Sequence, residues 1–572
     1  MKKLICVIMA LLMVAAVFAG CGAQTPAATD APETKAPETK APETKTPETA
    51  APDEGNDGPD AEEDPLKINL PIVDSPVYVS LWTTVNPTAM TFIDNLDDNL
   101  TWAKIFENTN IYFESTCVAG NVGKDQFNIL VGGGELPDVL GGVKNFYTGG
   151  MVNAYTDEII IDLKDLIDEY CPNYLARLDE YGAYNATLTD EGNALSIYRI
   201  IGSSVSDKGL ALRTDWLKEF NMSMPETFDE LHDYMAAAKE KYDATIYLNY
   251  IGMTNENEFN AGFGTSIFYN TTASTYPAIV RDGKVELSWQ SDGYREYLEM
   301  MNEWYSEGLV WKDFPTGVKG WITLNDGALS EFLGGRISVA QMEMGDITAL
   351  PQQAHEGQSG MTLAALPCPV KNAGDKIHVK GATNAASPGW CITTACSDEN
   401  TVYALKLLDY LYSDEGALLS TFGIEGETYE MKDGVPVYTD LILNDPDGRA
   451  VKTMINIYCV DDMPQFVMAE KNQSLYTAEQ MEASDTWKSN LDGEWQYPGG
   501  SISMTADEAG ALGDLIGDLE TYVYENMVKF IVGEKDPADD AQWAEFQKMI
   551  VDMKGDELRT VLQNAYDRFL KR

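Results

Sequence analysis

Residues 31–45 repeat APETK three times, TPETA follows, and the acidic run DEGNDGPDAEEDP closes the stretch. With a proline every five residues and almost no large apolar side chain, this part of the chain has nothing to bury. It reads as an extended, solvated tether, reaching at most about 3 Å per residue where it is polyproline-like. A folded body must therefore begin near residue 66.

Ahead of the tether, MKK supplies a positive start. LICVIMALLMVAAVF then gives an apolar run too short and wrongly flanked for a spanning helix. Phe18-Ala-Gly-Cys21 resembles a bacterial lipobox, with Phe18 where leucine is the commoner residue. Residues 1–20 are expected to leave as a lipoprotein signal peptide and Cys21 to carry lipid. Residues 21–65 would then tether a folded part outside the cytoplasm, anchored to the cell membrane. An ordinary secretory signal cut elsewhere is the alternative, and both imply export.

At 572 residues the chain exceeds one compact domain, and 44% apolar residues with 11 tryptophans suit a large core. A formal net charge of −51 excludes a general nucleic-acid binder. It also argues against a role pressed on anionic lipid by the protein's own surface charge. With 91 Asp and Glu, two carboxylates fall in almost any window, so a glycosidase-like acid pair cannot be read from sequence. Once Cys6 has left and Cys21 is lipidated, Cys117, Cys171, Cys368, Cys391, Cys396 and Cys459 remain. Their scattered spacing demands no disulfide, and a Cys391–Cys396 bridge is not expected. His232, His355 and His378 lie far apart without metal spacing, so no zinc site is assigned. A calcium site on clustered carboxylates is left open. No nucleophile elbow, zinc signature or triad-like grouping appears, so no catalytic residue and no cofactor is assigned.

From residue 66 onward strand and helix patterns alternate, which indicates an α/β sheet with ligands beyond the carboxyl ends of its strands. Val77–Trp82 reads extended and ends in the polar Thr83–Asn86; 96–107 reads helical, 110–116 extended, 126–131 helical and 138–140 extended. The stretch QFNILVGGGELPDVLGG (126–142) poses a phosphate loop against simple punctuation. A phosphate loop needs strand, glycines, then helix, and here the order is reversed. Gly132–Gly134 therefore read as a helix C-cap and turn.

In RTDWLKEFNMSMPETFDELHDYMAAAKE (213–240), Thr227 and Glu230 form a capping box. Phe228, Leu231, Tyr234 and Met235 share one apolar face. Trp216 and Leu217 fit a short helix capped by Asp215 or Thr214, with Trp216 in the core. RISVAQMEMGD (336–346) reads as a buried strand running into a polar turn, and Trp390–Ala395 as another strand. Ser397 then caps a helix over 401–411. The C-terminus is helical at 507–532, 541–553 and 556–570, whereas 440–500 reads as irregular and without a motif.

Several of these pieces resemble bacterial family-1 extracellular solute-binding proteins, above all the large lipoproteins that serve carbohydrate importers. QFNILVGGGELPDVL is similar to their helix–glycine–LPD segment, and RTDWLKEFNMSMPETFDELHDYMAAAK to their R-x-DWL…P-x-T-x-DE segment. ALKLLDYLYSDEGALLSTFGIEGETYEMKDGVPVYT (404–439) is similar to their DY-x-YS-x-EG…GIEG segment. TYVYENMVKFIVGE and NAYDRF are similar to their closing helices. The pieces occur in order across most of 100–570.

The resemblance implies a type II periplasmic-binding-protein-like α/β fold, with two lobes joined by crossing strands and a helical C-terminus. One lobe would hold 66–190 plus 390–445, the other 195–385 plus 480–572. It implies a protein that is not an enzyme and that captures a sugar or oligosaccharide between its lobes. Its partners would be the permease subunits of an ABC importer, and its membrane contact the N-terminal lipid. A binding protein for another solute such as a peptide, or a surface glycoside hydrolase, are the alternatives. Sugars offer C–H faces to aromatic rings and hydroxyls to carboxylates and amides. On family topology the ligand candidates are Trp82, Asn86, Asp138, Trp321, Gln341, Glu343, Trp390 and Glu425. Trp289, Trp304 and Trp543 are assigned to core or surface.

Overall fold

The protein is described by a computed structural model covering residues 66–571, apart from 204, 248–258, 268–275, 313, 317–325, 356, 382–385 and 503. Strands β1 (Val77–Val85), β2 (Ile111–Ala119), β3 (Val139–Gly141) and β4 (Ile197–Ile201) come first. β5 (Lys208–Arg213), β6 (Thr245–Tyr247), β7 (Ala278–Arg281), β8 (Lys284–Leu287), β9 (Ile337–Glu343) and β10 (Leu363–Ala365) follow. The last are β11 (Ala386–Ile392), β12 (Tyr429–Lys432), β13 (Val435–Tyr438) and β14 (Phe466–Val467). Among the described residues they form a six-stranded sheet ordered β14-β4-β11-β3-β1-β2 and a four-stranded sheet ordered β10-β5-β9-β6. β12-β13 and β7-β8 are separate two-stranded hairpins.

The chain passes between the two sheets between Ile201 and Lys208, between Ala365 and Ala386, and again after Val467. The last passage leads to the helix Ala478–Lys488, fixed to the second sheet by Trp487, whose indole N–H donates to the Leu210 carbonyl at 2.7 Å. The first and last passages run together. β14 pairs in parallel with β4, the Gly202 N–H donates to the Val467 carbonyl at 2.8 Å, and the Asn472 amide to the Ser203 carbonyl at 2.8 Å. In the first sheet β1, β2, β3, β4 and β14 run one way and β11 runs against them. The passages therefore leave from the carboxyl ends of the parallel strands, the ends where open α/β sheets take ligands.

Each sheet has its own core. Trp102, Phe106, Phe113, Tyr174 and Trp390 fill the first, while Trp216, Tyr234, Trp289, Trp304 and Phe546 fill the second. Trp543 packs half-buried against the second. The helices Ala506–Ile531, Asp540–Asp552 and Gly555–Phe569 complete that second body, close to the helical spans read from sequence.

Local chemistry explains why these segments fold as they do. Gly134, at φ 77°, ends the helix Gly123–Gly133 and lets the chain turn into β3, so the glycine run is punctuation. The helix Phe228–Tyr242 starts at a reciprocal capping box. The Thr227 hydroxyl accepts from the Glu230 N–H at 3.2 Å, and the Glu230 carboxylate accepts from the Thr227 N–H at 3.1 Å. Phe228, Leu231, Tyr234 and Met235 on its inner face are all buried. Thr227→Ala is expected to lower the unfolding free energy by about 1 kcal/mol. A urea melt unchanged by the substitution would show that the box contributes nothing.

Four sequence readings are corrected. β1 does not stop at Trp82 but pairs with β2 as far as Val85, because Thr83 and Thr84 are good strand residues, and the turn begins at Asn86. The short helix Thr214–Phe220 has Arg213 rather than Thr214 or Asp215 at its N-cap. The Asp215 carboxylate is instead taken by the buried Arg213 guanidinium at 2.9 and 2.5 Å. β11 covers Ala386–Ile392, earlier than 390–395, and Thr393 makes only an isolated bridge to Ile160. The 440–500 region is ordered. It holds the helices Asp440–Leu443, Val451–Tyr458, Glu470–Leu475 and Ala478–Lys488 besides β14, and Thr477 with Gln480 forms a capping box that the sequence reading overlooked.

That region also supplies a buried carboxylate. The Asp461 side chain is 1% exposed, with Lys452 at 2.5 Å, Lys471 at 3.0 Å and the Arg199 guanidinium at 3.5 Å. The Asn456 amide adds a hydrogen bond at 3.2 Å. Burial alone would raise its pKa, but Lys471, Lys452 and Arg199 outweigh burial and hold the carboxyl well below its ordinary range. Arg199 lies on β4, so the cluster braces the strand from which the first passage departs.

Candidate functional site

The carboxyl end of the first sheet is lined by backbone and small side chains. Asn86 follows β1, where its side-chain oxygen accepts from the Thr88 and Ala89 N–H groups at 2.9 and 3.3 Å and shapes the turn. β3 ends at Gly141, where a Cβ would lie 2.7 Å from the Thr83 hydroxyl oxygen, so a side chain does not fit. Gly142 then turns the chain at φ 74°.

Two of the three tryptophans expected to serve as sugar platforms, Trp82 and Trp390, stand on opposite faces of this sheet, each in a core. Trp82 is 4% exposed and meets Phe127 edge-on at 5.7 Å. Trp390 is 3% exposed, stacks on Trp102 at 6.0 Å and 20°, and meets Phe113 edge-on at 5.6 Å. Its indole N–H donates to the Thr83 hydroxyl at 3.1 Å. Asp138 lies before β3, at the end opposite the Gly141 turn. Its carboxylate accepts from the Ser80 N–H at 2.8 Å, the Ser80 hydroxyl at 2.7 Å and the Asn400 amide at 3.1 Å. Glu425 is exposed in a turn between Gly423 and Gly426, and Trp321 lies outside the described residues.

At the second sheet, Gln341 is buried within β9 opposite Leu210. Glu343 is exposed at the end of that strand, paired in register with Lys208 at the start of β5. This is where the first passage arrives. Asp207 lies 4.0 Å from the Lys208 ammonium, and the Asp346 carboxylate accepts from the Glu343 N–H at 3.0 Å. Partial burial, then Asp346 and Asp207, push the Glu343 carboxyl upward. Burial also pushes the Tyr476 phenol upward, with Asp207 adding to it. The first passage is also tied to the helix beyond the last one, where the Ser206 N–H donates to the Ser484 hydroxyl at 2.8 Å. Hydroxyl acceptors (Asp207, Glu343, Asp346) and a donor (Lys208) together can grip a polyol. Sequence reasoning found only Glu343. The Lys208–Glu343 pairing that joins the others to it depends on β5 meeting β9 across more than a hundred residues.

Two open hollows lie in the second body. One, of about 620 Å³, is lined by Phe263, Arg281, Glu286, Lys371, His378 and Trp495; the other, of about 420 Å³, by Phe228, His232, Phe263, Trp304 and Lys371. None of the sequence-expected ligand residues lines either. The Arg281 guanidinium sits 4.3 Å over Trp495, and the His378 ring packs 4.3 Å from the same indole. Among the described residues His378, Asp492 and Glu494 form the one histidine–carboxylate group close enough to share a metal, with Nδ1 at 2.9 Å from Asp492 and 3.6 Å from Glu494. Spacing along the chain could not anticipate that group.

Comparison with known proteins places this geometry. No protein-family model matches the chain. Lipoprotein LipO of Bacillus subtilis is 24% identical over 434 residues, covering 72% of this chain and 78% of the relative. The polygalacturonan/rhamnogalacturonan-binding protein YtcQ of the same organism is 22% identical over 424 residues, covering 69% and 80%. Among solved structures, an HMO-binding, ABC-transporter-associated solute-binding protein from Bifidobacterium longum infantis superposes with a TM-score of 0.66. It is 17% identical, over 87% of this chain and all of that one (100%). The chain thus has the two-lobed α/β fold of the ABC-transporter solute-binding proteins.

Proposed function

We propose that the protein is an extracytoplasmic receptor that captures an oligosaccharide between its lobes and delivers it to an ABC importer. The observation that carries this reading is the pair of α/β bodies joined by repeated passages of the chain, with the Asp207–Lys208–Glu343–Asp346 rim at the joint. Passages of this kind let two rigid bodies swing about short segments, so a ligand between them is enclosed as they close. Carboxylates and an ammonium at the joint match a ligand rich in hydroxyls, and closure desolvates their hydrogen bonds with it. A relative named for polygalacturonan/rhamnogalacturonan binding supports a glycan as cargo.

Cys21 carries the lipid, which holds the body at the membrane where the permease subunits lie. The protein itself holds and releases the sugar unchanged. Of the residues expected from sequence, this reading keeps the exposed Glu343 and the half-buried Asn86 as ligand contacts.

Thermal unfolding of the purified protein against a panel of neutral and acidic oligosaccharides, with short peptides as the competing class, tests the proposal. A cognate glycan at 100 times its dissociation constant adds about 2.7 kcal/mol to stability and raises the midpoint. A rise with peptides alone would overturn the sugar assignment, and glycan recovered in fragments would replace the receptor with an enzyme.

A further inference from the structure

Besides the chain passages, one guanidinium ties the two bodies together. Asp190 sits in the turn 189–192, which the Gly192 N–H closes onto the Thr189 carbonyl at 2.9 Å. This turn belongs to the first body. The Asn193 amide and the Ala194 N–H both donate to the Asp162 carboxylate, at 2.6 and 2.9 Å, and Leu188 and Ala194 pack into the first core. Yet the Asp190 side chain is 0% exposed, because Arg568 covers it, with Nε donating to the carboxylate at 2.6 Å. Arg568 comes from the other body. It stands near the end of the helix Gly555–Phe569, whose Leu558 and Leu562 lie in the second core.

The remaining guanidinium nitrogens are held as firmly. Both donate to the Glu508 carboxylate at 2.7 Å, one to each oxygen. Glu508 is itself fixed, since it caps the helix Ala506–Ile531 by accepting from the Thr505 N–H at 3.0 Å. The hydrogen bonds from Arg568 and from the Thr505 backbone hold the Glu508 carboxyl below its usual range, despite the burial that would raise it. Arg568 is thus oriented by its own body and presents one N–H edge to a carboxylate of the other.

We infer that the Asp190–Arg568 contact is a latch that sets the resting angle between the lobes. The inference rests on the two-lobed receptor reading, because a latch matters only if the lobes swing. A swing of the lobes that opens this edge parts Asp190 from Arg568. Parting them trades a short charge-assisted hydrogen bond for separate hydration of two charges, and Arg568, held on Glu508, is not free to follow Asp190. The lobes therefore rest in one discrete arrangement rather than drifting, and a ligand that closes them must outweigh the pair.

Small-angle scattering from the unliganded protein tests this without knowledge of the cargo. D190N weakens the contact between bodies, whereas E508Q loosens only the support within the second body. D190N is expected to shift the scattering profile and radius of gyration beyond replicate error, while E508Q leaves both at the parental values. Should D190N fail to fold, R568K serves in its place, since lysine keeps the charge and loses the fork; it too should shift the profile. A D190N or R568K profile superimposable on the parent, with only a lowered melting midpoint, would reduce the contact to ordinary packing. A failed glycan panel would overturn the cargo and leave this result standing, so the two failures are distinguishable.

Discussion

Trp390→Ala is expected to lower the unfolding free energy by about 3–5 kcal/mol, the usual cost of deleting a buried tryptophan side chain. The indole is wedged between Trp102 and Phe113 and hydrogen-bonded to Thr83, so truncation empties the centre of the first core. The void cannot refill easily, because Gly141 and Thr83 are already in close contact beside it. A ligand platform would behave in the opposite way, with near-parental stability and lost binding. Urea denaturation separates the two. A midpoint displaced no further than that of a surface substitution would return Trp390 to the cleft.

Asp461→Asn is expected to destabilise the protein by about 3–5 kcal/mol, as when one member of a buried ionic cluster is removed. Lys471, 11% exposed, would lose its 3.0 Å partner, and Arg199 would keep only its 3.6 Å contact with Asp462. The effect has a defined pH signature. Because the folded-state pKa is depressed, the carboxylate's contribution is fully present above its unfolded value of about 3.9 and is lost as the pH falls through the lower folded value. The difference between parent and variant should therefore hold from neutrality down to about pH 5 and narrow in stronger acid. Melts at several pH values measure it, and a difference that widens below pH 4 would rule out the cationic cluster as its source.

The comparison of sequence with structure is uneven for physical reasons. Rules acting over four or five residues could be read directly. The Thr227–Glu230 box, the Gly134 C-cap, the Ser397 cap and the long C-terminal helices follow from hydrogen bonds and φ angles that the local residues dictate. The site was less legible because strand faces depend on register. β11 slips its pairing with β4 between Pro388 and Trp390, so alternation counted along the chain does not say which face Trp390 takes. Polar residues such as Asp138 and Asn86 looked free in sequence because their partners, Ser80, Asn400 and backbone amides, are revealed only by folding. The 440–500 stretch hid its order in helices of four to eleven residues and a two-residue strand, too short for periodicity to register.

The interleaving of the two sheets has a consequence for the order of assembly. β4 waits for β14, which is made more than 260 residues later, and until then the Ile200 N–H lacks the Gln465 carbonyl that it meets at 2.9 Å. All of β5 to β10 emerges in between. The first sheet thus cannot finish until Val467 has been made, and the second body cannot finish before the terminal helices arrive. A chain cut short near residue 460 would carry an unpaired sheet edge, the kind that recruits other strands and aggregates. The second body reaches completion only when the terminal helix Gly555–Phe569 has been made.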